Sequence, residues 1–107
     1  MTHKSHALGE INGNRYVVVV RPYYELVNVK EIEDWCITLF CRNTETLEQE
    51  EVVTIDTAHD YVHIDLKFVD HPFKSDKVPK EHLDFWSAYR KVVDNWEEFA
   101  SKHERNR

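Results

Sequence analysis

The side chains best suited to chemistry crowd into one run, Asp56-Thr57-Ala58-His59-Asp60-Tyr61-Val62-His63-Ile64-Asp65. If Thr57 to Asp60 turn the chain between two strands, the period of two puts Asp56, His63 and Asp65 on one strand face, with His59 at its rim. A carboxylate beside an imidazole orients the ring and raises its basicity. A pair of histidines, His59 and His63, could then divide the acid and base roles of metal-independent phosphodiester cleavage, with Asp56 or Asp65 holding one of them.

The same residues permit a second chemistry. His63-x-Asp65 with His59 matches the two-histidine, one-carboxylate set that holds Fe(II) or Zn(II) with open positions, although oxygenases of that kind use larger double-sheet barrels than this chain can form. A third reading needs no site, because exposed strand faces are commonly lined with His, Asp and Lys whose opposite charges attract across strands. His3, His6, His71 and His82 read as solvated surface residues. Arg15 and Arg21 flank an apolar strand, which they cap, and they suit phosphate recognition if they share the open face.

Other reaction classes are excluded by what the chain lacks. Two glycines in 107 residues leave no Gly-rich phosphate loop, and there is no CxxC, GxSxG or HExxH pattern. No kinase, Rossmann or P-loop chemistry is expected.

The elements that must position these residues begin with Arg15 to Arg21, a β-branched strand that is apolar on both faces and ends at Pro22. Met1 to Gly13 reads as a flexible lead-in closed by the turn-like Asn12-Gly13-Asn14, which leaves 14–107 as the domain. Residues 23–33 fit a turn, a strand or a helical turn equally well. Asp34 to Arg42 is a strand with Trp35, Ile37, Leu39 and Cys41 on one face and Cys36, Thr38, Phe40 and Arg42 on the other. Val52 to Asp56 and Tyr61 to Val69 follow, the latter alternating cleanly, with Val62, Ile64, Leu66 and Phe68 on the core side.

Asp70 to Val78 reads as a loop, and Pro79 suits the first turn of a helix running to about His103. Phe85, Trp86, Tyr89, Val92, Val93, Trp96, Phe99 and Ala100 fall within an arc of about 140°, a core-facing stripe. Such a helix spans ~37 Å and a nine-residue strand ~30 Å, so one helix can cross the sheet. The expected fold is α+β, a four-stranded antiparallel β-meander packed against one long C-terminal helix (ββββα).

The size is that of one domain, and 41% hydrophobic residues with three Trp, five Tyr and five Phe supply a core without staples. A net charge of −6 argues against gripping duplex DNA by broad phosphate neutralisation, while RNA stays a candidate for a local basic patch. Seven histidines make the charge sensitive to mild acid. Cys36 and Cys41 point to opposite strand faces and cannot bridge. No apolar run near 18 residues suggests a membrane span, and the polar start shows no signal peptide, so a cytoplasmic setting is expected.

Ile55-Asp56-Thr57-Ala58-His59, His63-Ile64-Asp65 and Asn95-Trp96-Glu97-Glu98-Phe99 together resemble an uncharacterised family of small prokaryotic proteins with a D-T-x-H…H-x-D core and an N-W-E helix. That family is distantly similar to TumE-type toxins of toxin–antitoxin pairs. The resemblance covers roughly residues 52–100. Where the family has Gly after the first His, this chain has Asp60; Ile55 and Ile64 also depart from the family's aromatic and basic neighbours. The resemblance implies a prokaryotic or archaeal setting and a toxin-like role, with Asp56, His59, His63 and Asp65 carrying over.

The first strand has two apolar faces and only one helix to serve them, so Val17, Val19 and Phe40 are expected to form an interface on the open face. The expectation is an interaction module that self-associates as a homodimer or binds a small protein, possessing no cofactor. The alternatives are a ribonuclease-like enzyme using the Asp/His cluster and a divalent-metal protein.

Overall fold

The computed structural model describes residues 4–21, 35–58, 61–67, 76–79 and 83–105. Six strands run in sequence order as one antiparallel meander: β1 (Lys4–Ile11), β2 (Asn14–Arg21), β3 (Cys36–Asn43), β4 (Gln49–Ala58), β5 (Tyr61–Leu66) and β6 (Asp76–Pro79). One helix, α1 (Phe85–Arg105), follows and lies across β1 to β4. The α+β class and the antiparallel meander closed by a C-terminal helix are as expected, while the strands number six among the described residues rather than four.

Both added strands lie at the ends of the expected sheet. Lys4–Ile11, expected as part of a flexible lead-in, pairs with β2 as β1. The cause is the two-residue turn Asn12-Gly13, whose φ values of 53° and 78° match the right-handed twist of a tight hairpin. Asp76–Pro79 pairs with β5 as β6, and Pro79, expected in the first helical turn, ends this edge strand, where its missing N–H is tolerated. Helix α1 starts six residues later than expected, at Phe85 rather than Pro79. Asp84 caps it, its Oδ1 accepting from Ser87 N at 2.8 Å. Residues 23–33 and His82 lie outside the described residues.

The core forms between the helix and one sheet face. Tyr16, Val18, Val20, Ile37, Leu39, Cys41, Val53, Ile55, Val62 and Ile64 are buried on that face, against Phe85, Ala88, Val92 and Ala100 of α1. In β4 an irregular register sets Leu39 opposite Val53 and Phe40 opposite Glu51, so the extra residue, Val52, is buried together with Val53. Aromatic rings seal the helix to the sheet: Trp35 meets Phe85 edge-on at 5.8 Å, and Tyr16 meets Trp96 at 5.8 Å. Trp86, expected in the core stripe, is instead 53% exposed, whereas Ala88 and, at the other end of the helix, His103 are buried.

Beyond Cys36, the pairing of β3 with β4 continues through Trp35 and Thr57. Trp35 N donates to Thr57 Oγ1 at 3.0 Å, and Thr57 N donates to Trp35 O at 3.1 Å. Neither Cys36 nor Cys41 is in a disulfide; Cys41 is buried and Cys36 half-buried, as their opposite faces require. No helix among the described residues is long and apolar enough to cross a membrane.

Candidate functional site

The face opposite α1 has no helix over it among the described residues, and its residues follow from register. Strands β2 to β5 place Arg21, Cys36, Asp56 and His63 directly opposite one another in one row. The next row runs Ser5, Val19, Thr38, Thr54 and Asp65, and the one after it Ala7, Val17, Phe40 and Glu51. A last row holds Glu10, Arg15, Arg42 and Gln49.

Asp56, His63 and Asp65 therefore do share the open face, with Asp56 directly across from His63. His59 lies outside the described residues, so the cluster is seen without its second histidine. Burial raises the Asp56 carboxyl above its usual range and the Asp65 charge adds to this, while His63 and Lys67 pull it back down. Among the described residues no three His, Cys, Asp or Glu side chains are arranged to hold a metal, and the His59, His63, Asp65 set cannot be assembled without His59.

Across β1 to β3 the same face is different in character. Ser5, Ala7, Val17, Val19 and Phe40 floor a depression of about 500 Å³ edged by Arg15, Arg21, Arg42 and Gln49. Val17, Val19 and Phe40 are half-buried, which is high exposure for apolar groups in the middle of a sheet. Two of the arginines are anchored: Arg15 Nε and Nη2 reach Glu10 Oε1 at 3.3 and 3.1 Å, and Arg42 Nε and Nη2 reach Gln49 Oε1 at 3.2 and 2.8 Å. Charge is thus segregated, with arginines over β2 and β3 and Glu51, Asp56 and Asp65 over β4 and β5, where Lys67 pairs with Glu51 at 3.8 Å.

The interface residues expected from sequence, Val17, Val19 and Phe40, are brought together in this depression. Arg42 was visible in the sequence only as a member of its strand face. Its position opposite Arg15 depends on a register that the intervening chain conceals.

A sequential antiparallel meander with a helix over one face and an arginine-edged depression on the other defines an α+β domain, covered on one side among the described residues. The chain belongs to the family described as a domain of unknown function (DUF7718), whose model matches residues 12–107. Among curated proteins and solved structures, nothing matches it.

Proposed function

We propose that this domain is a small interaction module that docks an acidic, apolar segment of a protein partner on its open sheet face. The observation that carries this is the Val17, Val19 and Phe40 floor with Arg15, Arg21 and Arg42 around it, in a chain of net charge −6. A basic edge around an apolar floor favours carboxylates flanking an aliphatic or aromatic anchor. A nucleic acid is disfavoured by Glu51, Asp56 and Asp65 on the neighbouring strands. The resemblance of residues 52–100 to an uncharacterised prokaryotic family, itself distantly similar to TumE-type toxins, supports a cognate small protein of a toxin–antitoxin pair as the partner, in a prokaryotic cytoplasm that keeps Cys36 and Cys41 reduced.

Selection of a displayed random-peptide library on the full chain tests this. The expected winners carry Asp or Glu beside an apolar residue, lose affinity in salt, and bind the Phe40→Asp variant at least tenfold more weakly while its melting temperature holds. Winners without acidic residues, or binding unaffected in that variant, overturn the reading. A stable dimer in sedimentation that Val17→Asp dissociates would replace the partner with a second copy of the chain.

The second reading is acid–base catalysis, favoured by Asp56 standing across from His63 with its carboxyl raised by burial. It requires His63→Ala to abolish RNA cleavage by the purified chain without shifting its unfolding midpoint. Cleavage that persists in this variant removes it.

A further inference from the structure

The row nearest the β1–β2 turn contains an arrangement that sheet stability does not favour. Arg15 and Arg42 stand directly opposite each other on adjacent strands, where Cβ atoms are about 5 Å apart and like charges repel. Glu10 engages Arg15 from the β1 side, and the neutral Gln49 engages Arg42 from the β4 side. No carboxylate pairs with Arg42 among the described residues, so the row carries an uncompensated positive charge.

These anchors also set direction. Both contacts use the Nε and Nη2 groups and come from the outer strands. Of the five N–H donors on a guanidinium, the remaining ones on each side chain lie along its end-on Nη1 and Nη2 edge. Both arginines line the same depression as Val17 and Phe40, one row from them on the same face. Planar, bidentate donors of this kind match a carboxylate.

We propose that Arg15 and Arg42 form an oxyanion subsite that takes the carboxylate of a partner's Asp or Glu while Phe40 and Val17 take its apolar neighbour. This rests on the docking reading above and gives it a chemical address. The like-charge pair is retained for what it binds, and Glu10 and Gln49 are positioning residues that fix each guanidinium by its Nε and Nη2 groups.

The side-chain Nε–Hε resonances of the full chain, titrated with sodium glutarate, inorganic phosphate and sodium chloride at matched ionic strength, test the subsite. Saturable shifts of Arg15 and Arg42 with glutarate, absent with chloride, small at Arg21, and weakened at least tenfold in Arg42→Gln, are expected. Arg42→Gln should also melt at the same temperature or higher, because the repulsion is gone. Linear, chloride-like shifts overturn the subsite, and saturation by phosphate at a tenth of the glutarate concentration overturns the carboxylate assignment in favour of a phosphate ligand. The two readings fail separately. Selected peptides that bind Arg42→Gln normally but not Phe40→Asp remove the subsite and leave docking, whereas saturable glutarate binding with peptides indifferent to Phe40→Asp removes docking and leaves the subsite.

Discussion

Tyr16 donates its hydroxyl to Glu104 Oε1 at 2.6 Å, joining the second strand to the last turn of the helix. Asn14 Nδ2 donates to the same oxygen at 2.9 Å, and Asn43 Nδ2 donates to Asn14 Oδ1 at 3.3 Å. His103 Nε2 lies 3.1 Å from Glu50 Oε2 nearby, at an angle outside hydrogen-bonding geometry. Burial, and then the bond to Glu104, raise the Tyr16 hydroxyl far above its ordinary value. A raised folded-state pKa means stability is fully present below the unfolded value, ~10, and is lost as pH rises beyond it. Tyr16→Phe is therefore expected to lose about 1.5–3 kcal/mol at pH 7, the range for a bond to a charged acceptor. It should also fall less steeply than wild type above pH ~10. Urea midpoints at both pH values check this, and an unchanged midpoint at pH 7 would count against the clasp.

Gly9 of β1 lies against the ring of Trp96 on the helix. A Cβ built there would sit 2.7 Å from Trp96 Cη2 and 2.8 Å from Cζ2, closer than packed atoms allow. Since Trp96 also packs against Tyr16, its ring has little freedom to retreat. Gly9→Ala should destabilise the domain by about 1–3 kcal/mol, the usual range for overpacking. Adding Trp96→Phe should recover part of that loss, and a double-mutant cycle in urea would show the coupling. Additive losses would mean the contact is not the cause.

The start of α1 depends on a single residue. Asp84 Oδ1 accepts from Ser87 N, and Asp84 O accepts from Ala88 N at 3.0 Å. Asp84→Ala should cost about 1 kcal/mol, and Asp84→Ser should restore most of it. A Ser variant no better than Ala would show that the first turn is held by packing of Phe85.

The parts of this fold that are legible in the sequence are those whose pattern and packing agree. The alternation of Tyr61 to Leu66 and the paired apolar faces of Arg15 to Arg21 place β5 and β2 correctly, and the same alternation puts Asp56, His63 and Asp65 on one face. β1 escapes because KSHALGEI has a single β-branched residue, so it forms by pairing through Asn12-Gly13 rather than by propensity. β6 escapes because Pro79 signals a helix start and an edge-strand end equally well. The opposition of Arg15 and Arg42 escapes because β2 and β3 are not joined by a short turn of recognisable type, and without one no sequence pattern sets their register.

The Asp56 carboxyl offers a measurement of how dry the open face is. Its pKa is raised, first by burial, then by Asp65, against the opposing pull of His63 and Lys67. A raised carboxylate pKa works against folding once the group ionises. The penalty is absent below the unfolded value, ~3.9, and grows as pH rises through the folded one. Asp56→Asn should thus be as stable as wild type or more so at pH 7, with the two curves converging below pH ~4. His63→Ala should widen that gap, because it removes a side chain whose charge favours the ionised form of Asp56. Chemical denaturation from pH 3 to pH 8 checks both. If Asp56→Asn is instead less stable at pH 7 and more equal in acid, the aspartate is a favourable charge partner of His63, and the open face around it is wetter than its burial indicates.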